Sequence, residues 1–195
     1  MTHPTSDETR VRIVSEAERL FRHYGYTKTT VADIAGACAM SPANVYRFFS
    51  SKSEINNAIC CSIMSAQEVR LGEIAGMDAP APERLRALIE AIAQNTAEML
   101  SHDKNVHEMV AVAMEENWSA IRQHLGIVQA MIVSIVASGI EKGEFRRQDP
   151  GQVSRCVHFA LVGLKHPVVA AQAGDYPNTP TPAEMADFIL SALRP

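Results

Sequence analysis

Gly25-Tyr26-Thr27-Lys28-Thr29-Thr30-Val31-Ala32-Asp33-Ile34-Ala35 leads, five residues later, into Ser41-Pro42-Ala43-Asn44-Val45-Tyr46-Arg47-Phe48-Phe49. Thr30 is a capping residue type, whose hydroxyl can accept from the free N–H groups of a helix start. It opens a short helix carrying Val31, Ile34, Ala35 and Cys38. Ser41 caps the next helix, and Pro42 takes its first position, where a missing N–H costs nothing. Between them Ala39-Met40 makes a tight turn, so the two helices form a helix-turn-helix pattern. In the second of these helices Val45, Phe48 and Phe49 stand at i, i+3 and i+4 and face a small core. Ala43 and Arg47 point the opposite way, flanked by Asn44 and Tyr46. A small residue, an amide, a phenol and a guanidinium on one exposed face meet the demands of a DNA major groove. Alanine allows close approach and touches a thymine methyl, asparagine pairs with adenine, and arginine pairs with guanine.

Working outward, the segment from about Thr9 to Tyr24 reads as an amphipathic helix with Ile13, Ala17, Leu20, Phe21 and Tyr24 on one face, ended by Gly25. A fourth helix starts at Ser51, where Ser51 and Glu54 have capping-box spacing, and continues through Ile55, Ile59, Ile63, Ala66 and Val69. Lys52 lies in its first turn, where the helix dipole disfavours a cation. A DNA phosphate beside it would remove that penalty. Thr30, at the start of the second helix, and the Tyr46 hydroxyl are further candidates for phosphate contacts, which position a protein but carry little sequence information. Tyr46 also reads as a packing residue at the edge of the core, and Arg47 as a solvated arginine.

Beyond the fourth helix, Gly76-Met77-Asp78-Ala79-Pro80-Ala81-Pro82 is a break, because two prolines so close together end a helix. Helical periodicity continues to the last residues, without sustained strand alternation or an internal repeat. The expectation is an all-α chain of about nine helices: a three-helix DNA-binding domain over residues 1–54 and a helical ligand-binding and dimerisation domain over 55–195. The eighth helix opens at Asp149-Pro150, is apolar on most sides from Cys156 to Ala173, and should kink or end early at Pro167. Such a helix has one face too many for a subunit surface, so it and the ninth, opened by Thr181-Pro182-Ala183-Glu184, are candidates for a homodimer contact. Met99, Met109, Met114, Met131 and Trp118 read two ways, as the lining of a small-molecule pocket between helices or as adaptable core.

Composition sets the outer limits. Of 195 residues, 47% are hydrophobic and 21% charged, which excludes a disordered chain. The formal net charge of −4 argues against a non-specific architectural DNA binder held by bulk charge. Residues 1–55 carry seven Lys/Arg against six Asp/Glu, so DNA binding must rest on geometry rather than charge excess. The four cysteines, Cys38, Cys60, Cys61 and Cys156, have neither disulfide-framework nor zinc-ligand spacing, and the vicinal pair reads as inert core. His102, His107, His124, His158 and His166 place no two ligands cleanly on one helix face, so no metal is expected, and no cofactor. Gln123 to Ile140 lacks Asp, Glu, Lys and Arg but keeps a helical apolar stripe, which reads as a buried helix and not a membrane span. The opening residues lack the apolar core of a signal peptide, so a reduced, cytoplasmic setting is expected. No nucleophile–base pair, paired carboxylates or phosphate-binding loop suggests an enzyme.

The stretch from Gly25 to Ala35, with Ser41 to Phe49 and Lys52, resembles the DNA-binding domain of the tetracycline-repressor (TetR) family. The resemblance spans roughly Thr9 to Ile63; beyond it, only the helical architecture matches. It implies a homodimeric repressor that binds a double-stranded operator and is released by a small-molecule effector. An activator would share the same DNA-binding domain. By position in the motif, Thr30, Tyr46 and Lys52 fall where family members contact phosphates, and Ser41, Pro42, Ala43, Asn44 and Arg47 fall on or at the start of the recognition helix.

Overall fold

The computed structural model describes residues 5–102, 104–115, 119–173 and 178–195. Among them are eleven α-helices and no strand: α1 Ser6–Tyr24, α2 Val31–Ala37, α3 Pro42–Val45, α4 Lys52–Ala75, α5 Ala81–His102, α6 Lys104–Glu115, α7 Ser119–Glu141, α8 Pro150–Ala160, α9 Val162–Lys165, α10 Pro167–Ala173 and α11 Pro182–Leu193. The expected eighth helix is divided into three, which raises the count from nine. One break follows from Pro167, which cannot donate an N–H and pushes His166 into an extended conformation. The other falls at the buried Leu161, whose carbonyl accepts the Leu164 N–H in a tightened turn.

Helix starts follow the capping chemistry of the sequence. Thr5 with Glu8, Thr30 with Asp33 and Thr181 with Glu184 each form a reciprocal capping box. At α4 the pattern is shifted by one residue. Ser51 Oγ accepts the Glu54 N–H at 3.1 Å, but the Glu54 carboxylate takes the N–H and hydroxyl of Ser50, at 2.6 and 2.8 Å. Those bonds hold the Glu54 carboxyl below the usual carboxylate range.

The chain forms two compact units. The first takes residues 1–64 together with 103–122, and the second takes 65–102 with 123–195. In the first unit, Ile13, Ala17, Phe21, Ile34, Ala35, Val45, Phe49, Ile55 and Ile59 are buried around one core, which Met109 of α6 completes. Tyr24, expected on the buried face of α1, is instead exposed at its last turn. The core of the second unit is built by α5, α7, α8 and α11, through Leu85, Leu88, Ile89, Ile132, Ile135, Val136, Val157 and Ile189. Helix α7 is long and apolar enough to cross a membrane by length and composition, with a mean hydropathy of 1.5. Its Val128, Ile132, Ile135 and Val136 face this core. The helix packs close to its neighbours at Gly139, where a Cβ would lie 2.7 Å from Ala81 Cβ and inside the Phe145 ring.

Candidate functional site

The first unit holds α3 on a frame of side chains that fix its orientation. Val45 is fully buried and Phe49 is 1% exposed, which anchors the inner face of the recognition segment. Arg10 of α1 donates to the Phe48 carbonyl at 2.7 Å and lies 4.0 Å over the Phe49 ring. Arg12 donates to the Cys38 carbonyl at 2.8 Å, which ties the turn after α2 back to α1. Ala39, at φ +50°, makes that turn. Ser41 Oγ accepts the Asn44 N–H at 3.3 Å and starts α3 as expected.

The outer face carries the side chains that the pattern assigned to it. Ser41, Pro42, Ala43, Tyr46 and Arg47 are exposed, Tyr46 by 53%, and Asn44 is half-buried, with its amide 3.8 Å from Met40 Sδ. The regular helix ends at Val45, and residues 46–48 continue it as a tightened turn in which Phe48 N–H reaches the Val45 carbonyl at 2.9 Å. Tyr46 and Arg47 therefore project from the end of the recognition segment rather than from its middle.

Thr30 and Lys52 have partners inside the protein. The Thr30 hydroxyl and N–H both donate to Asp33 Oδ2, at 2.6 and 2.8 Å, and these bonds lower the Asp33 pKa. The start of α2 thus already holds an anion of its own. Lys52 Nζ donates to the Tyr26 and Thr29 carbonyls at 2.9 and 3.0 Å and sits 4.3 Å over the Tyr26 ring. The ammonium holds the loop that leads into α2, with one N–H not committed to an oxygen. These carbonyls offset the poor position of a cation in the first turn of α4.

Sequence reasoning missed the role of α6. Glu108 accepts from the Thr27 hydroxyl at 2.5 Å, Asn105 Nδ2 donates to the Arg22 carbonyl at 2.6 Å, and the buried Asn56 Nδ2 donates to the Met109 carbonyl at 3.3 Å. These partners lie 53 to 83 residues apart, and no periodicity in one sequence reports such pairings. The candidate effector residues fall in both units. Met109 is fully buried in the core of the first unit, and Met114 is half-buried on α6. Met99 on α5 and Met131 on α7 are half-buried in the second unit, and Trp118 lies outside the described residues. Cys60 is fully buried, and burial, with Cys61 beside it, pushes its thiol up to about 12. Among the described residues, no three His, Cys, Asp or Glu side chains group as a metal site would require.

Comparison with known proteins gives this geometry a context. Residues 13–59 match the model of the bacterial regulatory proteins of the tetR family, and residues 81–185 match the tetracyclin repressor-like C-terminal domain. The HTH-type transcriptional regulator TtgR of Pseudomonas putida is 36% identical over 62 residues, which are 32% of this chain and 30% of that protein. The aligned stretch thus spans less than a third of the curated relative. A transcriptional regulator from Cytophaga hutchinsonii superposes with a TM-score of 0.68 at 18% identity, over 94% of this chain and 97% of that one. SmeT of Stenotrophomonas maltophilia, the repressor of the multidrug efflux pump SmeDEF, superposes with a TM-score of 0.67 at 17% identity, over 95% and 90%. At these identities the solved structures establish a shared fold. The two family models together take in the helix-turn-helix unit and most of the helical second unit, and the chain belongs to the TetR family of bacterial regulatory proteins.

Proposed function

We propose that this protein is a sequence-specific DNA-binding transcriptional regulator, a homodimeric repressor that leaves its operator when a small-molecule effector binds. Residues 1–54 read the duplex, and residues 55–195 bind the effector and the partner subunit. The observation that carries this reading is the exposed Pro42, Ala43, Tyr46 and Arg47 face held over the buried Val45 and Phe49. In the complex, Ala43, Asn44 and Arg47 face base edges, and Ser41 and Pro42 bring the start of α3 against the groove. Tyr46, Thr30 and Lys52 lie along the phosphates. Lys52 acts chiefly by fixing the loop before α2, with its remaining N–H toward the backbone.

A two-fold dimer presents two recognition segments to successive major grooves. Support for the dimer contact comes from α8 and α11. Phe159 is 74% exposed and Phe188 69%, and a groove of about 370 Å³ between these helices is lined by Val153, Cys156, Val157, Ala160 and Ile189. A second copy of the chain covers this apolar surface. Effector binding favours the dimer state whose recognition segments are wrongly spaced for DNA. Met99 and Met131 are the candidate pocket residues within the second unit. Control of an efflux or catabolic gene from the cytoplasm is the corresponding biological expectation.

The test is selection of bound sequences from a random duplex library with the purified protein at moderate salt. An enriched palindrome, with half-sites about one helical turn apart or slightly more, is the expected result. Recovery of random sequence with no common motif overturns the reading.

A further inference from the structure

Among the described residues, four side-chain nitrogens of the second unit are buried without a hydrogen-bond partner: Arg84 Nε, Gln148 Nε2, His158 Nδ1 and Lys165 Nζ. The Arg84 guanidinium bonds through its other two nitrogens. The last two stand seven residues apart, on α8 and α9, helices divided only by the single residue Leu161. Leu161 is itself 1% exposed and turns inward to the core. The neighbouring helix α5 presents the buried Ile92, Ala93 and Thr96. Thr96 Oγ1 lies 3.5 Å from the Lys165 carbonyl and also bonds to the Ile92 carbonyl, which leaves it no free proton for an anion.

An ammonium removed from water without an anion or a carbonyl beside it is costly, and proteins seldom leave one so. Burial alone lowers the Lys165 pKa to about 8, and burial followed by the Lys165 charge lowers that of His158. No carboxylate enters as a cause for either group. Helix α10 packs against α9 and α5 and has no ionisable residue, and the charged groups of α5 do not contribute to either shift. Among the described residues, the junction of α5, α8 and α9 is therefore a positive site without its counter-charge.

We propose that this junction receives the carboxylate of an otherwise apolar effector, with Lys165 Nζ as the charged donor and His158 Nδ1 as the second. A single negative charge matches one ammonium whose field reaches an imidazole, and the buried Ile92, Ala93 and Leu161 on the elements that meet here suit an apolar body. The inference rests on the reading of the second unit as the effector domain and adds the chemical class of the effector. It explains why a buried cation is kept where a leucine would pack at less cost: the anion supplies the missing partner and is rejected when the cation is absent.

The probes are 4-phenylbutanoate and its amide, which share shape and differ in charge, titrated into the full-length protein by calorimetry at pH 7. The expected result is at least about tenfold tighter binding of the carboxylate, as a charged hydrogen bond supplies. Lys165→Met should abolish that preference and leave amide binding unchanged within about twofold, and Lys165→Arg should retain it. Equal binding of the two probes, binding of neither, or an undiminished preference in Lys165→Met overturns the proposal. A second readout needs no charge-removing variant. In protein with ¹³C-methylated lysines, the resonance missing from Lys165→Arg reports Lys165, and 4-phenylbutanoate should raise its pKa. A pKa that does not move overturns the proposal. Neither measurement uses DNA, so failure here leaves the operator selection untouched, and failure of that selection leaves these outcomes readable.

Discussion

Lys165 shows how a single side chain can be kept at a cost to the fold. Lys165 titrates near pH 8 in the folded chain and near the ordinary lysine value of about 10.4 when unfolded. Between these values the unfolded state binds more protons, so stability rises as pH increases from 8 toward 10. The penalty is complete below pH 8. Lys165→Met should therefore unfold at higher denaturant than the parent at pH 7, with a gap that narrows by pH 10; a gap constant with pH would show that the lysine is not desolvated. In the proposed complex Asn44 reads a base and Tyr46 meets a phosphate. Asn44→Ala should relax preference at one base-pair position by about 1–3 kcal/mol. Tyr46→Phe should weaken all sequences alike by about 0.5–1.5 kcal/mol, as loss of one phosphate hydrogen bond would. Competition binding with single-base operator variants separates the two effects.

The elements show which parts of the structure were legible in sequence. Local chemistry was clear: Thr30, Ser41 and Thr181 cap helices where the residue types say they should, and Val45 and Phe49 are buried by their spacing. The break at Pro167 followed from the missing N–H, but that at Leu161 did not, because nothing in its neighbours opposes a helix. Roles set by distant partners were also hidden. Lys52 looked like a free phosphate donor until the Tyr26 and Thr29 carbonyls were placed beside it, and Glu108 carried no signal at all. Gly139 is a third case, since a glycine within an apolar helix does not say what approaches it. Gly139→Ala gains helix propensity of about 1 kcal/mol but drives a methyl into Phe145 and Ala81. A net loss of about 1–3 kcal/mol is expected, read as a fall in thermal midpoint, with the second unit the part affected.

At the scale of the whole molecule, the proposed dimer places its subunit contact on the exposed Phe159 and Phe188 and the groove between α8 and α11. Phe188→Asp places a charge in that contact and should convert the dimer to monomer at micromolar concentration, measured by sedimentation, while far-ultraviolet circular dichroism stays unchanged. Loss of the dimer should carry with it loss of affinity for a two-half-site operator but not for a single half-site. The first compact unit also has a composition that bears on how the chain is made. Its core includes Met109 on α6, fifty residues after Ile59 on α4. Synthesis runs from the amino terminus, so a nascent chain that has emerged only as far as residue 64 holds the reading head without its last wall. The whole of α5 is translated between Ile59 and Met109, which share that core. The first unit is thus the first part to be started and not the first to be finished.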